Sequence, residues 1–235
     1  MRSAVCFIGA IGLSGGVSNY FRGNATFKKN KLVDYEGISH IMKKHLIDVN
    51  DNVDTFIHCW TPDVESDMVR IYKPKAFLFE ENDIYSEEFK RKCSIFRGRA
   101  YNRASFLLSI QKSLSLMVES GEEYDSVLVI RPDVILFKDL ILSELQLVDN
   151  IVYSNNGRVH PGDFFYLMNY NTSKIFRNMY EKIKSFKEDW SHEKINDIII
   201  NMPVELSSEL GIDVIDHPNF NAGRDIQVSR KCNWK

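Results

Sequence analysis

The stretch YDSVLVIRPDVILF, Tyr124 to Phe137, constrains this chain more than any other. Ser126 to Ile130 is a β-branched and leucine-rich run of the kind that forms a strand buried on both faces. Arg131, Pro132 and Asp133 interrupt it before the apolar residues resume at Val134. A charge pair inside so apolar a run is costly unless partnered. Pro132 cannot donate to a sheet ladder, so strand pairing stops or bulges there. A central strand ending at Arg131 reconciles these facts and puts Asp133 at its C-terminal edge, where open α/β sheets bind ligands. The same residues also fit a plain strand end closed by an Arg131–Asp133 salt bridge.

The rest of the chain alternates strand and helix signals around that run. Ala4 to Ala10 reads as a first strand, broken by Gly12, Gly15 and Gly16. A glycine-rich turn after a first strand lets backbone approach a nucleotide closely. The spacing is neither G-x-G-x-x-G nor a P-loop, and a plain surface loop carrying Arg22 and the basic run FKKNK fits it equally. Ile38, Ile41, Met42, His45 and Leu46 recur at helical spacing over Tyr35 to Val49, with Asp34 as N-cap. VDTFIHCW, Val53 to Trp60, reads as a second strand, and His58 within it suits either a ligand or a packed histidine. KAFLFEE, Lys75 to Glu81, reads as a third strand with acidic residues at its exit.

Ala100 to Ser120 is the longest helix expected, with Gly121 as its stop. Arg97, Arg99 and Arg103 at its start oppose the helix dipole, which an anion bound there would relieve. A solvated basic face accounts for them as well. Asn150 to Asn155 reads as a strand, Asn171 to Ser185 as a helix, a further helix runs from about Ile195, and a last strand exits at His217. This alternation predicts one α/β domain over residues 1–235, a mixed and mostly parallel Rossmann-like sheet flanked by helices.

Composition excludes several classes. A net charge of −2 gives no basis for nonspecific nucleic-acid binding. Cys6, Cys59, Cys93 and Cys232 form no C-x-x-C pair, which argues against structural zinc and fits reduced thiols in the cytoplasm. Arg2 followed by AVCFIGAIGL has the look of a short signal peptide but no small-x-small cleavage site, and a buried strand explains it better. No segment approaches the apolar length of a membrane helix. H-E-x-x-H is absent, since His192-Glu193 has no second histidine at the required place, so a metallohydrolase reading fits poorly. Carboxylates and cations at strand exits suit transfer from a nucleotide-activated substrate.

VDTFIHCW, YDSVLVIRPDVILF, and GDFFYLMN with a downstream His192-Glu193 together resemble bacterial and viral glycosyltransferases of the GT-A fold, including capsule and O-antigen polysaccharide types. The resemblance implies a nucleotide-diphosphate sugar as donor, a glycan or other hydroxyl acceptor, and Mn2+ or Mg2+ on an acidic strand-end motif. Arg131 occupies the first acidic position of that motif and Asp133 the last. It further implies that Asp133 is the metal or diphosphate ligand, that His217 completes the metal site, and that Gly9, Ala10 and Gly12 border the base. Arg99, Arg103 and Arg131 then serve the donor phosphates. Asp163 faces the acceptor as base with Glu193 as its rival, and Phe164, Phe165 and Tyr166 form a wall for the sugar. Removing the Asp133 carboxylate is expected to leave the fold intact. Two alternatives stand beside this reading: a noncatalytic nucleotide- or glycan-binding domain, and a nucleotidyltransferase.

Overall fold

The computed structural model describes residues 1–11, 35–82, 99–155, 164–185, 207–208, 210–220 and 224–228. Gly12, Asp34, His160, Asp163, Glu193 and the helix expected from Ile195 lie outside them, as do Arg22, Arg97, Cys93 and Cys232. Nine strands are described: β1 (Ser3–Phe7), β2 (Val53–Cys59), β3 (Ala76–Phe79), β4 (Ser126–Ile130), β5 (Val134–Leu136), β6 (Ile151–Ser154), β7 (Phe165–Met168), β8 (Asp213–Asp216) and β9 (Ile226–Val228). The helices are α1 (Tyr35–Met42), which runs on into a π-helical turn over Lys43–Ile47, α2 (Glu65–Tyr72), α3 (Arg99–Glu119), α4 (Tyr170–Phe176) and α5 (Met179–Ser185).

Seven strands form one sheet in the order β3-β2-β1-β4-β7-β6-β8, and β5 pairs with β9 in a small second sheet. The β1–β2, β1–β4, β2–β3 and β6–β8 pairs are parallel, whereas β7 runs antiparallel to both β4 and β6. The architecture is therefore a single α/β domain with a mixed, mostly parallel sheet flanked by helices. Strand β4 lies at the centre with all five residues buried, as its unbroken apolar run requires. Pairing stops at Pro132 as expected, and the chain turns into β5.

Apolar layers cover both faces. On one, Ala104, Leu107, Ile110, Leu114 and Met117 of α3 pack on Ala4, Cys6, Phe56, Val127 and Val129. On the other, Met42 and Leu46 join Met68 and Tyr72 of α2 over Val5, Phe7, Ile57, Leu128 and Ile130. Helix α3 ends at Gly121, whose φ of +74° suits the left-handed stop that glycine adopts without strain.

Two sequence expectations need correction. The Asn171 to Ser185 helix is two helices, α4 and α5, with Asn169 capping the first by accepting from the Thr172 amide. Phe165 and Tyr166 belong to β7, a central strand, and both are fully buried. Rings packed against Phe220 and Phe176 in the core cannot serve as a wall for a sugar. The FFYLM run is short and its aromatic residues suit a strand as well as a site, so its pattern carried no sign of which it is.

Candidate active site

Parallel pairing brings the ends of β1, β2, β3 and β4 to one edge of the sheet. The register carries β6 and β8 to that edge too, with Ser154 opposite Asp216 on one side and Tyr166 on the other. Strand order reverses between β1 and β4, because the chain steps outward through β2 and β3 before returning. Such a switch point opens a crevice outside the carboxyl ends of the two strands. Gly9 and Ala10 lie on one side of it, and Arg131 and Asp133 on the other.

The Gly9 side is tightly held. The Ile8 amide donates to the Ile130 carbonyl, and the Trp60 amide donates to the Gly9 carbonyl, at 3.0 and 2.9 Å. The Gly9 amide donates to Ser109 Oγ at 2.7 Å, and the Ile11 amide to Thr61 Oγ1 at 3.2 Å. Gly9 has φ +92°, and a Cβ there would meet nothing within 4 Å. Backbone conformation, not crowding, demands glycine at this turn.

Behind the turn lies a buried polar chain. Ser109 Oγ is 2.7 Å from His58 Nδ1, and His58 Nε2 is 3.0 Å from Glu80 Oε1. Lys112 Nζ approaches the same oxygen at 2.8 Å. Burial opposes ionisation of Glu80, but hydrogen bonds from His58 and Lys112 outweigh it and hold the carboxyl below its usual range. Glu80 is thus the acceptor, His58 Nε2 carries the proton, and Nδ1 accepts from the Ser109 hydroxyl. Burial lowers the His58 pKa despite Glu80, in keeping with a neutral ring. Of the two roles open to His58, the structure shows the packed histidine.

On the Arg131 side, Nε and Nη2 donate to Asp133 Oδ1 and Oδ2 at 2.9 and 2.7 Å. Asp133 is only 1% exposed. The salt bridge that the sequence offered as an alternative is therefore present, as a buried bidentate pair. It corrects the expectation that Asp133 contributes little to the fold. The Asp133 carboxylate is close enough to Cys59 to add to the burial that raises that thiol to about 11.

His217 follows β8 on the other half of the sheet. Its ring packs against Phe165 and Phe220, with centroids 5.8 and 5.7 Å away. Burial first, and Lys138 in addition, push its pKa down to about 4. Nδ1 accepts from the Asn219 amide at 3.2 Å, so Nε2 bears the proton of the neutral ring. That buried Nε2 and both amide atoms of Asn155, at the end of β6, have no hydrogen-bond partner among the described residues.

The structure does not bring Asp133 and His217 together. Three strand spacings separate the exits of β4 and β8, roughly 14 Å. Among the described residues no three His, Cys, Asp or Glu side chains converge as a metal site. Asp133 has both oxygens engaged, and His217 presents an N–H where a metal needs a lone pair. These two residues as placed do not fit Mn2+ or Mg2+. Arg99 and Arg103 lie in the first turns of α3. That end of the helix sits at the same sheet edge, since Ser105 accepts from Asn82 beyond β3. Ser109, Thr61 and Asn155 escaped the sequence reading. Ser109 is a small polar residue on a buried helix face, and only the serine's place in the apolar stripe hinted at a role.

No protein-family model matches the chain, nor does any curated protein. Several solved structures show weak likeness. Apo-form glycosyltransferase GlyE from Streptococcus pneumoniae TIGR4 is 12% identical over 92% of this chain, with TM-score 0.38, and this chain spans 45% of its length. A nucleoside-diphosphate-sugar pyrophosphorylase from Vibrio cholerae RC9 is 10% identical, covering 97% of this chain and 96% of its own, with TM-score 0.46. Mouse xyloside xylosyltransferase 1 is 8% identical, covering 92% and 84%, with TM-score 0.43. Likeness at this level does not extend to chemistry. No described helix is long and apolar enough to cross a membrane.

Proposed function

We propose that this chain is a glycosyltransferase that takes a sugar from a nucleotide-diphosphate donor and passes it to a glycan or other hydroxyl acceptor. One observation carries the reading: the crevice at the β1/β4 switch point, with the pinned Gly9 turn on one side and Arg131 on the other. An open α/β sheet binds its ligand at such a place. The nucleotide lies along Gly9 and Ala10, and its phosphates lie toward Arg131 and the helix start that carries Arg99 and Arg103. Asp163 serves the acceptor hydroxyl as base, with Glu193 as its rival. The residue motifs that resemble GT-A glycosyltransferases of the polysaccharide type support the transfer of a sugar.

Among the described residues no cluster of three His, Cys, Asp or Glu side chains offers a divalent cation a site, and no step here depends on one. The Arg131–Asp133 pair favours a second reading, a nucleotide-binding domain without catalysis, because it occupies the carboxylate the motif would offer. Incubation with nucleotide sugars and analysis of products tests both. Release of a nucleoside diphosphate supports the transferase. Binding of a nucleoside diphosphate with no turnover supports the second reading, and release of pyrophosphate points to nucleotidyl transfer. A thermal-shift series of nucleoside diphosphates, with and without manganese, tests binding and any need for metal.

A further inference from the structure

The turn after β1 is fastened by more than strand pairing requires. Its Ile8 amide is tied to β4, the Gly9 carbonyl to Trp60, and the Ile11 amide to Thr61. The Gly9 amide is tied to Ser109 on α3, one hundred residues away in sequence. No hydrogen bond among the described residues engages Ala10, which is exposed between these anchors. Ser109 is itself oriented. Its single hydroxyl proton goes to His58 Nδ1, so its oxygen is free to accept from Gly9. His58 accepts at Nδ1 because Glu80 holds its proton at Nε2, and Lys112 keeps Glu80 ionised. Four side chains from β2, α3 and the exit of β3 thus fix the direction of one backbone hydrogen bond. Packing α3 on the sheet does not need them, since Leu107, Ile110, Leu114 and Met117 already bury an apolar stripe there.

We propose that Ser109 and His58 are positioning residues for nucleotide binding, holding the Gly9 turn so that Ala10 is presented, already ordered, to the ligand. This rests on the nucleotide reading of the crevice given above. The physical gain is preorganisation: a turn frozen beforehand loses no conformational entropy when a ligand settles on it. Ser109 and His58 are both fully buried, so they act through the turn and touch no ligand. Removal of the Ser109 hydroxyl frees the Gly9 amide and lets the turn sample other conformations. The ligand must then order it on binding. Removal of the imidazole leaves Ser109 able to rotate its hydroxyl toward another acceptor and gives the same effect through one more step.

The test uses the full chain with UDP, GDP, CDP and ADP as probes, titrated by calorimetry and well below the measured Tm of each variant. The wild type is expected to bind at least one of the four. Ser109→Ala and His58→Leu are expected to weaken that binding about tenfold, within the range of ordinary coupling between sites. His58→Asn places an amide oxygen near the position of Nδ1 and is expected to bind more tightly than His58→Leu. That rescue of nucleotide affinity is the readout that a merely structural role would not move, and hydrogen exchange reads the turn itself. The Gly9 amide should exchange at least tenfold faster in Ser109→Ala, with the amides of β1 and β4 unchanged. Unchanged nucleotide affinity in both Ser109→Ala and His58→Leu, while the wild type binds, overturns the proposal alone. So does unchanged Gly9 protection. A wild type that binds none of the four overturns the nucleotide reading itself, and with it this role.

Discussion

Replacing Asp133 by alanine tests whether the charged pair just beyond the end of the central strand is structural. Arg131 and Asp133 side chains are 12% and 0% exposed and joined by two charge-assisted hydrogen bonds. Removing one partner of a buried pair typically costs about 3–5 kcal/mol, because the other charge is left uncompensated in a low dielectric. An unfolding entropy of about 2.1 cal/mol/K per residue over the chain's 235 residues gives about 2 °C in Tm per kcal/mol. Asp133→Ala should therefore lower Tm by about 6–10 °C. The double variant Arg131→Met with Asp133→Leu removes both charges and should recover more than half of the loss, since apolar residues of similar volume replace buried pairs at little net cost. Differential scanning calorimetry of wild type, single and double variants measures both shifts. A single variant within 2 °C of wild type would refute the argument, and a double variant less stable than the single would show that the energy lies in other contacts.

Three further outcomes are expected. His217, with its pKa lowered to about 4 by burial, contributes stability that is complete above its unfolded value of about 6.5. That contribution is lost as pH falls from about 6.5 toward 4, because the unfolded chain binds the proton first. It amounts to the order of 3 kcal/mol. Urea unfolding at pH 7.5 and 4.5 should show a smaller loss for His217→Gln than for wild type, and equal losses would count against the assignment. Asn155→Leu removes two buried polar atoms that have no partner among the described residues and should leave stability unchanged or raise it by about 1 kcal/mol. A loss above about 2 kcal/mol by the same urea assay would mean the amide is satisfied in solution. Asp163→Asn should keep donor binding and slow sugar transfer by ~10²–10⁴-fold, the usual worth of a general base. Normal transfer by Asp163→Asn alongside slow transfer by Glu193→Gln would move the base to Glu193.

Local pattern alone determined much of the fold. The apolar run of β4, broken by Arg131 and Pro132, marked a buried central strand and its end, and both stand in the structure. Helix α3 spans its apolar stripe to within a residue or so and stops at Gly121. These features are legible because strand burial, helical periodicity and glycine's tolerance of positive φ act over a few neighbouring residues. Strand β7 was not legible, since four residues of mixed aromatic and aliphatic character carry no period that separates core from site. Nor were the partners of the polar groups. Arg131 and Asp133 sit two residues apart, and the sequence allowed both a ligand site and a salt bridge. Burial beyond the end of the central strand decided for the pair, because two charges withdrawn from water hold each other more strongly than either holds a distant group. Gly9, His58, Glu80 and Ser109 meet only because parallel strands bring their exits to one edge and a crossover helix returns to that edge. Spacing in sequence bears no relation to such a meeting, so tertiary structure alone created it.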